Sequence, residues 1–72
     1  MLAAVDRKIG LRMILPRTYE LYICDGTGER TFEALTCPRS ELLRYAREAL
    51  ERHGAETVEI WEAGEYLLTL AA

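Results

Sequence analysis

The chain has 72 residues, half of them hydrophobic and 29% charged, for which the expectation is one soluble globular domain, and the composition argues against a disordered chain. Its net charge of −3 is the wrong sign for a protein that works mainly by neutralising phosphates. A domain this small buries only about 60% of the surface its unfolded chain exposes, and its two cysteines, Cys24 and Cys37, make a weak disulfide framework, so dimerisation is the expected support for the core.

The opening stretch, MLAAVDRKIGLRMILPR, is broken by Asp6, Arg7, Lys8 and Arg12 into pieces too short for a signal-peptide core or a membrane span. The expectation is a cytoplasmic protein with no membrane partner. Residues 1–17 read as an N-terminal extension or as an extra edge strand, because Ile9, Leu11, Met13 and Leu15 alternate with Lys8, Gly10, Arg12 and Ile14. Both readings stay open, and the domain proper is expected over residues 18–72.

Two runs rich in aromatic and β-branched residues follow, YELYIC and RTFEALT, separated by DGTGE. They predict a hairpin. A turn centred on Thr27 and Gly28 sets Tyr19, Leu21 and Ile23 opposite Thr36, Ala34 and Phe32 on one face. The other face then carries Glu20, Tyr22 and Cys24 with Leu35, Glu33 and Thr31.

A helix is predicted from about Pro38 to His53. Leu42, Ala46, Ala49, Leu50 and His53, with Leu43 beside them, fall at the three-to-four spacing of an apolar stripe. Arg44, Glu48 and Arg52 are spaced to pair along the opposite side, and Gly54 is the expected left-handed stop. ETVEIW and YLLTL then form a second hairpin turning on Ala63 and Gly64. Its expected register pairs Ile60 with Leu67 and Val58 with Thr69 on the inner side, leaving Glu59, Trp61, Tyr66 and Leu68 on the outer side.

The order strand, strand, helix, strand, strand predicts an α+β domain of ββαββ type: a four-stranded, mainly antiparallel sheet with one helix on one face. Placing the first strand between the second and third makes the sheet fully antiparallel, although the sequence leaves strand order open. One helix covers one face only. The other face, expected to carry Tyr22, Leu35, Trp61, Tyr66 and Leu68, has no cover in this reading and is the candidate interaction surface.

Several stretches invite chemistry. Cys37 stands where a strand meets a helix, and a helix N-terminus stabilises a thiolate. CPRS, Cys37 to Ser40, resembles the Cys-Pro-x-Ser site of monothiol glutaredoxins, which implies thiol-redox activity at Cys37. That family also needs a cis-proline where this chain has Glu59, and a further strand and helix for which there is no room between Cys37 and Thr57. The alternative reading makes Pro38 a first-turn proline and Thr36 or Cys37 a simple cap.

A bridge between Cys24 and Cys37 is excluded by a separation on the order of 20 Å along the strands, so two free thiols are expected. His53 is the single histidine, and no spacing suits a metal, so neither metal nor cofactor is expected. Glu20, Glu33 and Glu59 are expected on the outer face, solvated and without the cleft that acid–base catalysis needs. The Gly-x-Gly of DGTGE joins two strands and opens no helix, so it is a turn.

Tyr22, Trp61 and Tyr66 on one sheet face suggest a base-stacking platform, and Arg7, Lys8, Arg12 and Arg17 supply a basic N-terminal segment for nucleic acid. The glutamates expected beside the rings oppose that use. A protein partner suits the rings better.

From Tyr19 to Leu70, through YELYICDG, SELLRYAREALERHGA and VEIWEAGEYLLTL, the chain resembles small uncharacterised ββαββ proteins of alphaproteobacteria. The resemblance implies a fold and transfers no functional residue. The expectation from sequence is therefore a bacterial, non-enzymatic interaction module, working as a homodimer or with an unidentified protein partner through the outer sheet face or an edge strand. Thiol-redox chemistry at Cys37 and nucleic-acid binding through the basic N-terminal segment are the alternatives.

Overall fold

The computed structural model describes residues 15–72. Strand β1 spans Pro16–Cys24 and β2 Arg30–Pro38; a 3₁₀ turn, Arg39–Glu41, leads into helix α1, Leu42–Arg52; β3, Thr57–Glu62, and β4, Glu65–Ala71, complete the chain. The sheet order is β2-β1-β3-β4 with every neighbouring pair antiparallel, so this is the α+β ββαββ arrangement read from sequence. β1 and β3 take the two interior positions, and α1 carries the chain over β1 from β2 to β3. Pro16 and Arg17 belong to β1; the extension or edge strand expected over the preceding residues lies outside the described residues.

The core forms where the stripe of α1 meets alternate residues of the two inner strands. Leu42, Ala46, Ala49 and Leu50 are buried against Tyr19, Leu21 and Ile23 of β1 and Val58 and Ile60 of β3. The alanines in the middle of the stripe keep the helix close to the sheet. Each large apolar side chain buried here contributes roughly 1.5–3 kcal/mol. Gly54, at φ 59°, ends the helix. Its N–H bonds to the Glu51 carbonyl and that of Ala55 to the Leu50 carbonyl, at 3.1 and 3.0 Å, a paired closure that also turns Ala55 into the core beside Leu50.

The start of the helix differs from expectation. Pro38 ends β2 and precedes the 3₁₀ turn, with φ −62° and ψ 147°, and neither this turn nor α1 has a side-chain cap bond. Thr36 is not a cap, because its hydroxyl lies 3.1 Å from that of Thr18 across the ladder. The pairing expected along the helix is replaced as well. Arg44 pairs with Glu41 one turn back, and Arg52 leaves the helix surface to reach Glu33 of β2. His53, expected on the apolar stripe, instead sets Nε2 3.0 Å from the same Glu33 carboxylate.

The first hairpin corrects the expected register by one residue. Tyr19 lies opposite Leu35, Leu21 opposite Glu33, Ile23 opposite Thr31 and Tyr22 opposite Phe32. The cause is the loop. Gly28, at φ 88°, donates its N–H to the Asp25 carbonyl at 3.2 Å, while the Asp25 N–H donates to the Glu29 carbonyl at 3.1 Å. Gly26, Thr27 and Gly28 therefore form a three-residue loop, where a turn centred on Thr27 and Gly28 has two. The Asp25 carboxylate holds it by accepting from the Thr27 N–H at 2.8 Å, the Thr27 hydroxyl at 2.7 Å and the Glu29 N–H at 3.1 Å. Those bonds, the Thr27 hydroxyl first, hold the Asp25 carboxyl below its usual range. An odd extra residue exchanges the two faces of β2.

The second hairpin turns on Ala63 and Gly64, as read from sequence, with both residues at positive φ, 51° and 78°. Trp61 pairs with Tyr66 as the turn requires. A bulge then intervenes, and Ile60 faces Leu68, Glu59 faces Thr69 and Val58 faces Leu70. Leu68 accordingly lies on the helix side, where Leu67, Leu68 and Leu70 pack against the core, and Thr69 takes the outer side.

Candidate functional site

The outer face carries four aromatic rings, one from each strand, in a row across the whole sheet. Phe32 of β2 stands directly opposite Tyr22 of β1, with ring centroids 5.5 Å apart. Tyr22 also faces Glu59 of β3, so Trp61 is its diagonal neighbour, at 6.1 Å. Trp61 stands opposite Tyr66 of β4, at 5.6 Å. Successive planes are inclined at 59°, 80° and 73°, so the rings meet edge to face, a geometry that contributes about 0.5–1.5 kcal/mol per pair beyond area burial.

The two ends of the row are the most open. Phe32 is 57% and Tyr66 53% exposed, whereas Tyr22 and Trp61 are half-buried between them. Polar groups fix the centre. Arg30 lies over the Tyr22 ring, 5.0 Å from its centroid, and sets Nη2 2.9 Å from Glu59 Oε1. The same Glu59 oxygen accepts from the Trp61 indole N–H at 3.2 Å. At the β4 end the Tyr66 hydroxyl is 2.7 Å from that of Thr69. Three of the four rings thus have a charged or hydroxyl neighbour that limits their rotation, which lowers the entropy lost when the face is covered.

Of the residues expected on this surface, the structure brings together Tyr22, Trp61 and Tyr66. Leu35 and Leu68 are on the opposite face: Leu35 pairs with the buried Tyr19 and Leu68 with the buried Ile60, and both pack against the core. Phe32 takes the place given to Leu35. The signal for it was present in DGTG, because an aspartate followed three residues later by glycine marks a turn from Asp25 to Gly28 rather than one centred on Thr27 and Gly28.

The three glutamates expected together are divided. Glu20 and Glu59 are on the outer face, while Glu33 is on the helix side, where its carboxylate accepts from His53 and Arg52. The bond from His53, with a further contribution from Arg52, holds the Glu33 carboxyl below the usual glutamate range. It ties the C-terminal end of α1 to edge strand β2. Among the described residues no cluster of histidine, cysteine and carboxylate side chains is arranged to hold a metal ion.

Cys37 does not stand at the N-terminus of a helix, the position expected of it. It lies within β2, is 3% exposed in the core, and burial, with a smaller effect of Glu41, pushes its thiol up. Cys24 is half-buried on the outer face at the other end of the ladder, and both cysteines are free thiols. No helix among the described residues is long and apolar enough to cross a membrane. The chain matches no protein-family model, no curated protein and no solved structure.

Proposed function

We propose that the protein is a non-enzymatic interaction module that self-associates by stacking the aromatic face of its sheet on that of a second copy. The observation that carries this reading is the row Phe32, Tyr22, Trp61, Tyr66, on a face that no other described element covers. Tyrosine and tryptophan bring large contact area with few rotatable bonds, and aromatic residues are enriched where proteins meet. The charged groups beside the row, Glu20, Glu59 and Arg30, fit the polar rim of such an interface and leave a net negative border that disfavours phosphate. Two free thiols, one of them partly open to solvent, suit a reducing compartment, so the cytoplasm is the proposed location.

Trp61 is the single tryptophan, and it reports on its own face. Its emission in the full chain is expected to shift to the red on dilution as the stacked face opens to water. An emission maximum constant from high micromolar to nanomolar concentration, together with a constant mass, refutes the reading.

A further inference from the structure

The two edge strands of the described sheet, β2 and β4, differ in a way that a face-stacked pair does not use. β2 carries Arg30, Glu33 and Pro38, features that discourage another strand from pairing. β4 runs Tyr66, Leu67, Leu68, Thr69, Leu70, Ala71, with no charge and no proline. Its charged residue, Glu65, and its bulge both lie at the turn end, leaving Leu68 to Ala71 regular.

Backbone direction follows from one bond. The Ala72 N–H donates to the Glu56 carbonyl at 2.9 Å, on the same register that sets Leu70 opposite Val58 and Leu68 opposite Ile60. In an antiparallel ladder, hydrogen-bonded and non-bonded pairs alternate. Leu68, Leu70 and Ala72 therefore bond inward to β3, and the N–H and C=O groups of Thr69 and Ala71 point away from it. Among the described residues, no strand pairs with that side.

We propose that this edge is a second self-association surface, where two copies of β4 pair antiparallel about a twofold axis at Thr69. The strand is complementary to itself in that register. Thr69 of each copy exchanges both backbone bonds with Thr69 of the other, and Leu68 of each lies beside Leu70 of the other on the helix side. Four leucines then form one apolar strip between the two helices, where a single α1 leaves Leu68 and Leu70 only half-buried. An isologous pairing of this kind closes on itself and gives an eight-stranded sheet. This surface is independent of face stacking, and the two together close into a tetramer where their twofold axes cross at right angles.

The test is disulfide trapping in the full chain carrying Cys24→Ser and Phe32→Glu, which removes the partly open thiol and blocks stacking. Opposed residues of a bonded pair have Cα atoms about 5.5 Å apart, within disulfide reach. With Thr69→Cys added, mild oxidation is expected to give a covalent dimer at least ten times faster than with Ala34→Cys, which is also an exposed outer-face position, on edge strand β2. Ala71→Pro, without the added cysteine, removes an outward N–H and no described bond, so it is expected to halve the mass of the Phe32→Glu assembly at unchanged circular dichroism.

Equal trapping rates at the two positions overturn the proposal. So do Thr69 and Ala71 amides protected from exchange in a monomer, because a segment of the same chain then holds the edge. Trapping at position 69 with no effect of Phe32→Glu on mass keeps the edge and removes the stacked face, so the two readings fail separately.

Discussion

Phe32 and Tyr22 face each other across the first ladder, on the side of the sheet away from the helix, with their ring centroids 5.5 Å apart. The pair exists because the loop between their strands has three residues. A two-residue turn on Thr27 and Gly28 brings Phe32 beneath the helix and sends Leu35 to the surface. One loop residue thus decides whether the aromatic row crosses three strands or four.

If the pair is energetically real, a double-mutant cycle with Tyr22→Ala and Phe32→Ala yields a coupling of about 0.5–1 kcal/mol. The measurement is urea unfolding at a concentration where the chain is monomeric. A coupling indistinguishable from zero means the rings are neighbours without being partners.

Ala63 holds φ 51°, in the left-handed region that costs a residue with a Cβ about 1–2 kcal/mol, some of it returned by glycine's larger unfolded-state entropy. Ala63→Gly is therefore expected to stabilise the fold by about 0.5–1 kcal/mol. For a domain of this size that raises the thermal midpoint by roughly 2–8 °C. A lowered midpoint contradicts the turn geometry.

Glu33 gives the helix-to-β2 tie a pH dependence of defined sign. Its carboxyl is held low in the folded protein, chiefly by the bond from His53, so the unfolded chain takes up the proton first as pH falls. The stabilisation is complete above the ordinary glutamate range and is lost as pH drops through the folded value. Exposure limits it to a few tenths up to about 1 kcal/mol. At neutral pH, Glu33→Gln is expected to unfold at lower denaturant than the parent, with the gap closing below roughly pH 4. A gap that persists unchanged into acid assigns the loss to packing rather than to charge.

The thiols should react in sequence. Cys24, partly open, is expected to be modified in the native protein, and Cys37, buried with its thiol pushed up, only as the domain opens. Reagent kinetics followed by mass spectrometry separate the two sites. Rapid native-state modification of Cys37 near neutral pH restores the thiol-redox reading.

The elements and their order were legible because each rests on a local signal. The spacing of Leu42, Ala46, Ala49 and Leu50 marks the helix, Gly54 its end, and Ala63-Gly64 the second turn. The faces were harder. β2 alternates Phe32, Ala34 and Thr36 with Glu33, Leu35 and Cys37, and both sets contain apolar residues, so hydrophobicity does not choose between them. The choice belongs to the loop, through Asp25 and Gly28. Leu68 was misplaced for a different reason. The bulge at Leu67 lets Leu68 and Leu70 reach the core, and that gain comes from packing against β3 and the helix, which no local pattern in YLLTL encodes. Strand order is likewise a property of the assembled sheet, since β1 is flanked by β2 and β3 only after α1 has crossed it.

Solution mass over a concentration series, for the full chain and for Phe32→Glu, tests the central claim most directly. Phe32 is 57% exposed at the end of the row, so a charge there leaves the core intact and places a carboxylate in the stacked face. The account predicts that the substitution halves the mass of the assembly at the same concentration, with circular dichroism unchanged. Equal masses for the two proteins, whether both monomeric or both associated, contradict it.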